Sequence, residues 1–402
     1  MTDRQKTYWV ILAAGMALRI LWGLLVPVEP VSDSWAYHQF ARTIVDHGVY
    51  GWTADKPSAY WAVGTSGLAA LTYLVTDGFA GIVVLNLIAG LMILTLTHHL
   101  AARWFGDRVA IWALALVAFW PNLIIFTSIL SSELFFIALT LGGLFFWQRP
   151  RGHHMVNLLL AGLVWGAAAY IRPVILLVPV TLALVDLARG LRPFGITALQ
   201  AAIAVLVILL VAMPWTMRND RVMGAPVMMS TNFGPNFWMG NHAGSHGGYT
   251  SLPPEVATMT EIERADYLKA QALSYIRENP GDALRLLGRK MVQLHNRETI
   301  GVVWNPALPR MIGDTGVQAA KAVATGYWFL MLAGGLAGIV VLARRRGIIA
   351  ALFNPPVALW GYFTAIHVIV VAEDRYHMPS SALIAVMAAV TLAALTSKER
   401  EL

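Results

Sequence analysis

The sequence predicts an all-α polytopic membrane protein of about ten transmembrane helices, and three observations carry that prediction. Of its 402 residues, 57% are hydrophobic and only 13% are charged, against about 25% charged in soluble globular domains. Long windows hold no charge at all; Ile203–Pro214 reads IAVLVILLVAMP. The apolar residues follow the helical period rather than strand alternation, which argues against a β-barrel and for helices that satisfy their own backbone groups in lipid.

A helix needs roughly 20 apolar residues to cross the hydrocarbon. The first run, Thr7 to Val26, lacks a small-residue cleavage site and is followed by Pro27-Val-Glu-Pro30, so it reads as a retained helix at 8–26 and not as a signal peptide. Arg19 falls inside it, so this residue either pairs within the bundle or marks a tilted helix. Residues 28–78 form an outer loop. Within it, Ser34–Asp46 places Ala36, Tyr37, Phe40, Ala41, Ile44 and Val45 on one stripe, which predicts an amphipathic helix lying along the interface. Spans are expected next at 79–101, 109–127, 133–147, 155–170, 173–188 and 195–213, those between 133 and 188 being short. Residues 215–320 are the one sizeable polar region, a small helical outer segment that opens with Gly- and Asn-rich loops. Thr260 with Glu263 makes a capping box for its first long helix, and Asn279-Pro280-Gly281 breaks that helix from a second. Spans at 322–343, 352–371 and 379–396 follow. There is no internal repeat, and residues 1–402 read as one domain.

Threading ten spans alternately gathers the basic connections on one side: Arg4 and Lys6, Arg103 and Arg108, Arg149 and Arg151, Arg189 and Arg192, Arg344 to Arg346, and Lys398 and Arg400. Short basic loops mark the cytoplasmic face, so both termini are expected there. The net charge of +7 is mostly this membrane-flanking Arg and Lys, and it sets orientation rather than recruiting nucleic acid. The chain has no cysteine, which removes disulfides and thiolate metal sites.

Eight further charges, Asp33, Lys56, Glu133, Arg172, Arg218, Glu373, Asp374 and Arg375, sit at or just beyond span ends on the opposite side, in apolar or aromatic settings. Each one alone reads equally well as a cap or an interfacial anchor. Eight on one face, carried by five chain segments, point to a site, because buried charge at a membrane is costly unless paired or functional. Asp33, at the start of the interfacial helix, reads as an N-cap and also as a carboxylate able to take a proton from a hydroxyl. Lys56 reads as a snorkelling lysine or a cation for a phosphate. Arg172, Arg218 and Arg375 suit a phosphate, which guanidinium forks bind bidentately. His242 and His246 offer two metal-ligating side chains, but a Gly-rich loop is a poor ligand platform, and no metal or other cofactor is expected. Walker A, dinucleotide-binding and HExxH patterns are absent.

Ordered along nearly the whole chain, Asp33-Ser-Trp-Ala-Tyr37, Asp55-Lys-Pro-Ser-Ala-Tyr-Trp-Ala-Val-Gly64, Ser131-Ser-Glu133, Tyr170-Ile-Arg-Pro173, Pro214-Trp-Thr-Met-Arg-Asn219, Phe237-Trp-Met-Gly-Asn241 and Arg375-Tyr-His-Met-Pro379 resemble the GT-C superfamily of membrane glycosyltransferases. Its relatives include bacterial aminoarabinose transferase and protein O-mannosyltransferases. The resemblance implies transfer of a sugar from a polyprenyl-phosphate donor to a hydroxyl of a lipid, glycan or protein acceptor, by inverting displacement, at the outer face of a bacterial cytoplasmic membrane. It makes Asp33 the catalytic base, and Lys56, Arg172, Arg218 and Arg375, read above from their own settings as phosphate cations, are then expected to hold the donor phosphate. Tyr37, Glu133, Asn219, Asn241, Tyr376 and His377 fall in the same motifs as supporting or substrate-binding residues. Many relatives carry a large soluble C-terminal domain, so acceptor selection is expected here from residues 215–320.

The chemistry agrees: transfer needs one base and cations for a leaving phosphate, whereas a glycosidase needs two carboxylates at a set separation. Two other classes stay open at this level. A transporter or flippase of lipid-linked sugar would show repeat symmetry and polar residues near the midplane; an O-antigen ligase or polymerase also works on prenyl-linked glycans.

Overall fold

The computed structural model describes residues 2–76, 78–148 and 154–396, and they are almost wholly helical. In chain order come α1 (Asp3–Leu25), α2 (Asp33–His47), the two-stranded hairpin β1 (Gly51–Thr53) and β2 (Lys56–Pro57), α3 (Gly64–Tyr73), α4 (Ala80–Phe105), α5 (Asp107–Ala118) and α6 (Pro121–Ile125). Then follow α7 (Glu133–Trp147), α8 (His154–Ile171), α9 (Val178–Ala188), α10 (Phe194–Met223), α11 (Phe233–Gly240), α12 (Glu261–Glu278) and α13 (Pro280–His295). The last are α14 (Ile300–Val303), α15 (Leu308–Arg346), α16 (Ile348–Leu352), α17 (Pro355–Ile369) and α18 (Ser381–Thr396).

Every expected span falls on helix, but a count of ten is not established. Among the described residues six helices are long and apolar enough to cross a membrane on their own, and α5 with the bent 121–128 segment makes a seventh. α7 and α17, at 15 residues each, and the 173–188 segment fall short of the roughly 20 residues a straight crossing needs. The chain is a multi-pass membrane protein.

The expected 109–127 span is bent by 58° between α5 and the 121–128 helix. Pro121 is the cause: it lacks an N–H and drives Trp120 out of helical geometry, to φ −71° and ψ 112°. The break leaves carbonyls at the end of α5, and Arg19 reaches them. Its Nη1 donates to Gly15 and Ala118 carbonyls at 2.9 Å, and its Nη2 to Val117 at 3.0 Å. The buried arginine therefore pairs inside the bundle, with a helix C-terminus whose partial negative charge favours it.

Close packing elsewhere depends on small residues, as between membrane helices generally. A Cβ on Gly338 of α15 would lie 2.1 Å from the Met387 carbonyl of α18. The last large core is built there, from α18, α15, α5 and α4 residues such as Val386, Leu342, Ala113 and Ala101.

One end of the bundle collects the basic helix ends. Arg4 pairs with Asp107 at 3.3 Å, Arg346 lies over the Phe105 ring at 6.0 Å, and Trp104 donates to Gln148. Arg149, Arg151, Lys398 and Arg400 lie outside the described residues. The outer segment sits at the opposite end. Its capping box forms as expected, Thr260 Oγ1 accepting from the Glu263 N–H while Glu263 accepts from the Thr260 N–H. The break at Asn279 also forms, with φ −129° and ψ 57°.

Candidate active site

α2 begins one residue earlier than a capping Asp33 would require. Ser32 occupies the cap position, at φ 52°, and makes no side-chain cap bond; Asp33 is the first helical residue. The N-cap reading of Asp33 is thereby corrected. Ser32 is the one non-glycine residue with positive φ among the described residues, and such strain persists only where its surroundings enforce it. The enforcement is visible next door: Ser34 Oγ donates to the Leu130 carbonyl at 2.6 Å, and Tyr37, Phe40 and Ala41 are buried.

Four of the sequence-selected charges meet at this point. Arg375, on the loop after α17, donates to Asp33 and lies 3.6 Å from Glu133 Oε1. Arg172, at the end of α8, donates to Glu133 Oε1 at 2.5 Å and to Ser132 Oγ at 2.9 Å. Glu133 is fully buried at the first turn of α7, where the helix dipole favours a negative charge. Arg375 also stacks 4.3 Å from the Trp304 ring centre and 5.1 Å from that of Tyr376. Burial works most strongly against the charge of Arg375, but Asp33, Tyr376, Glu133 and Tyr37 around it together outweigh burial and hold its pKa well above the usual arginine value. Burial, and then Asp33, push the Tyr37 hydroxyl upward, so it stays protonated.

These residues edge a cavity of about 1240 Å³, whose walls include Asp33, Tyr37, Arg172, Glu373, Arg375 and Tyr376. Such a volume exceeds the usual drug-sized pocket of about 300–1,000 Å³. Glu133 lies behind the wall. Of the two acidic groups in the cluster, Asp33 keeps 24% of its side chain exposed and Glu133 none. Asp33 is thus the carboxylate of that pair which a substrate can reach.

Other expected residues lie away from this cluster. Arg218 donates to the Ser58 carbonyl at 2.7 Å and to the Tyr50 carbonyl at 2.9 Å, with Trp215 4.8 Å from its guanidinium. It pins the first outer loop to the end of α10 and does not line the cavity. Lys56 stands exposed on β2, also away from the lining. Asn219 donates to the Val227 carbonyl at 2.9 Å, closing the turn that follows α10. Asn241 donates to Phe237, Ile369 and Val370 carbonyls and accepts from Lys290 Nζ at 2.9 Å. His377 is buried beneath the site, stacked 3.8 Å from the Trp328 ring.

Two residues at the site, Glu298 and Arg264, escaped the sequence, whereas Asp374 was among the charges it singled out. Glu298, fully buried, accepts from Trp120 Nε1 at 2.9 Å and faces His377 Nε2 at 3.1 Å. Asp374 accepts from the N–H and hydroxyl of Thr299 at 3.0 and 2.8 Å. Together they clamp the Arg375 loop between α13 and α15. Arg264 of α12 lines the cavity directly. A charge on a polar amphipathic helix (Arg264) or in a polar loop (Glu298) gives no sequence signal of its own, so neither stood out. Among the described residues no three His, Asp or Glu side chains converge as metal ligands.

No family model matches the chain, and no curated protein matches it in sequence. Solved structures do match. The oligosaccharyltransferase AglB of Archaeoglobus fulgidus, solved with an inhibitory peptide and a dolichol-phosphate, superposes at a TM-score of 0.56 and 14% identity over 98% of this chain and 50% of its own. Its apo form gives 0.57. ArnT of Cupriavidus metallidurans, bound to undecaprenyl phosphate, gives 0.56 at 16% identity over 95% of this chain and 59% of its own. The chain spans about half to three-fifths the length of these structures. Because both superpositions cover at least 95% of this chain, it shares the fold of these two transferase structures over nearly its whole length.

Proposed function

We propose that the chain is a glycosyltransferase that moves a sugar from a polyprenyl-phosphate donor to an acceptor hydroxyl, on a lipid, a glycan or a protein, by inverting displacement. The observation that supports this best is the pairing of a reachable carboxylate, Asp33, with two arginines, Arg375 and Arg172, at the wall of one large cavity. In this reading the donor phosphate takes Arg375 and Arg172 as partners, and Asp33 turns its freed oxygen to the acceptor hydroxyl. The hydroxyl oxygen of the acceptor attacks the anomeric carbon, the bond from that carbon to the phosphate oxygen breaks, and the hydroxyl proton passes to Asp33. The arginines stabilise the negative charge that develops on the leaving phosphate, a contribution often larger than the base's own. Glu133 anchors both guanidiniums from behind, and Tyr37 and Tyr376 stay neutral beside them. The reading calls on no metal ion and no nucleic acid. Two solved neighbours carry a dolichol-phosphate and an undecaprenyl phosphate, a lipid class that the cavity here has room for.

The positive-inside pattern puts the cavity outside a bacterial cytoplasmic membrane, with both termini in the cytoplasm. The test is sugar transfer and thermal stability measured together on Asp33→Asn and Asp33→Ala. Asp33 caps nothing, and without it Arg375 still has Glu133 at 3.6 Å, so both variants are expected to fold and to bind undecaprenyl phosphate while transfer falls by at least about a hundredfold. An active Asp33→Asn variant would refute the base assignment. Turnover only with diphosphate-linked glycan chains would point to a ligase instead.

A further inference from the structure

The three arginines of the cavity wall are not equivalent. Arg172 and Arg375 each have a carboxylate partner. Arg264 has none: among the described residues its guanidinium makes no hydrogen bond and no ion pair. Its Nε is shut off from water without an acceptor. An atom closed to water is closed to a ligand as well, so what Arg264 offers the cavity is the charge of a lining guanidinium that no carboxylate pairs.

The surroundings are built to receive an anion. The Tyr60 ring lies 5.8 Å from the Arg264 guanidinium and lines the same cavity. α11 packs so tightly on α12 that a Cβ on Gly234 would lie 2.0 Å from the Ala265 carbonyl. That contact sets the start of α11 beside the turn that carries Arg264. Asn232 and Asn236, on that start, both line the cavity. Asn232 Oδ1 is occupied by the Ser230 hydroxyl at 2.9 Å, which leaves its amide N–H groups to donate. Glu261, one turn before Arg264, is engaged with Ser58 and the Ala59 N–H and does not neutralise it.

We infer that Arg264, with Tyr60, Asn232 and Asn236, forms a second anion subsite of the cavity, which takes a phosphate or phosphodiester group. The inference rests on the glycosyltransferase reading for what fills the rest of the cavity. The anion has two sources: the donor's phosphate on its way to Arg375 and Arg172, and a phosphate carried by the acceptor.

The test uses the full chain in detergent with two probes, undecaprenyl phosphate and glycerol 3-phosphate, titrated against the wild type, Arg264→Gln and Arg375→Gln. Loss of a charge-assisted bidentate contact is expected to weaken binding of one probe by about ten- to a hundredfold at unchanged melting temperature. A loss for undecaprenyl phosphate assigns the anion to the donor. A loss confined to glycerol 3-phosphate assigns it to the acceptor. Should Arg264→Gln melt early, Arg264→Lys keeps the charge but not the fork, and a weakening of several-fold is expected of it. Unchanged affinity for both probes overturns the subsite. A wild type that binds glycerol 3-phosphate through Arg264, yet neither binds undecaprenyl phosphate nor transfers sugar, would sink the transfer reading and leave the subsite standing.

Discussion

The two ends of the bundle use the same ion pair in different ways. At the basic end, Arg4 and Asp107 meet at 3.3 Å with 72% and 66% of their side chains exposed. At the cavity end, Arg172 and Glu133 meet at 2.5 Å with 14% and 0% exposed. Water screens the first pair, which is worth about 0–1 kcal/mol. The second is dry on the acid's side, so each partner makes the other's presence there tolerable, and removing one strands the other. In the proposed reading, charge at the basic end addresses the chain to a side of the membrane, and charge at the cavity end is held in place for the donor.

The sharpest way to break that contrast is to delete one partner at each end. Glu133→Ala is expected to cost about 3–5 kcal/mol of stability, enough to reduce the folded yield severely. Asp107→Ala should cost less than about 1 kcal/mol. Equal losses in a denaturation series would show that the two ends do not differ.

A smaller effect separates two arginines that look alike in sequence. Arg375→Ala is expected to weaken undecaprenyl phosphate binding by about ten- to a hundredfold, the equivalent of a lost charged hydrogen bond of about 1.5–3 kcal/mol. Arg218→Ala should leave that affinity within about twofold, while making the 50–61 loop easier to cleave by protease. A reversed order would return Arg218 to the phosphate.

Orientation is tested by single cysteines, which this cysteine-free chain accepts without background. Positions 250 and 345 should label from opposite sides of sealed vesicles, 250 from outside. Labelling from the same side would overturn the assignment of the basic end to the cytoplasm. His153, a natural third position for the cytoplasmic side, lies outside the described residues.

A last effect is one of pH. Burial of Lys290 on α13 lowers its pKa to about 8, against about 10.4 in an unfolded chain. Between those values the unfolded state holds more protons, so stability should rise with pH from about 8 to about 10. Lys290→Met should flatten that rise in melting temperature, and an unchanged slope would show that Lys290 keeps its proton in the folded protein.

The sequence was most legible where chemistry clashed with surroundings. Asp33, Glu133, Arg172 and Arg375 were conspicuous as charges in apolar stretches, and the fold brings all four together. Arg218 was conspicuous for the same reason, but an arginine that ties two loop carbonyls produces the same pattern as one that awaits a phosphate. Only the partner distinguishes them, and the partners lie 160 and 168 residues away. Span positions followed from hydropathy. The 58° bend did not, because Pro121 lies inside an apolar run that reads as one helix until Trp120 is seen extended. Arg264 and Glu298 were silent, since a polar helix or loop is where arginine and glutamate are ordinary.

The position of Arg19 also bears on how the chain is made. A helix with arginine near its centre enters the bilayer at a cost of about 2.5–3.5 kcal/mol. In the finished protein that cost is offset by Val117 and Ala118, about a hundred residues downstream. While α1 is being inserted, those carbonyls have not been synthesised. The first apolar segment therefore enters as an incomplete guest, and it is secured only when α5 arrives beside it. The bend at Pro121 serves this step as well as the final shape, for the carbonyls it frees are the ones that α1 needs. Synthesis order and helix geometry are linked here through a single guanidinium.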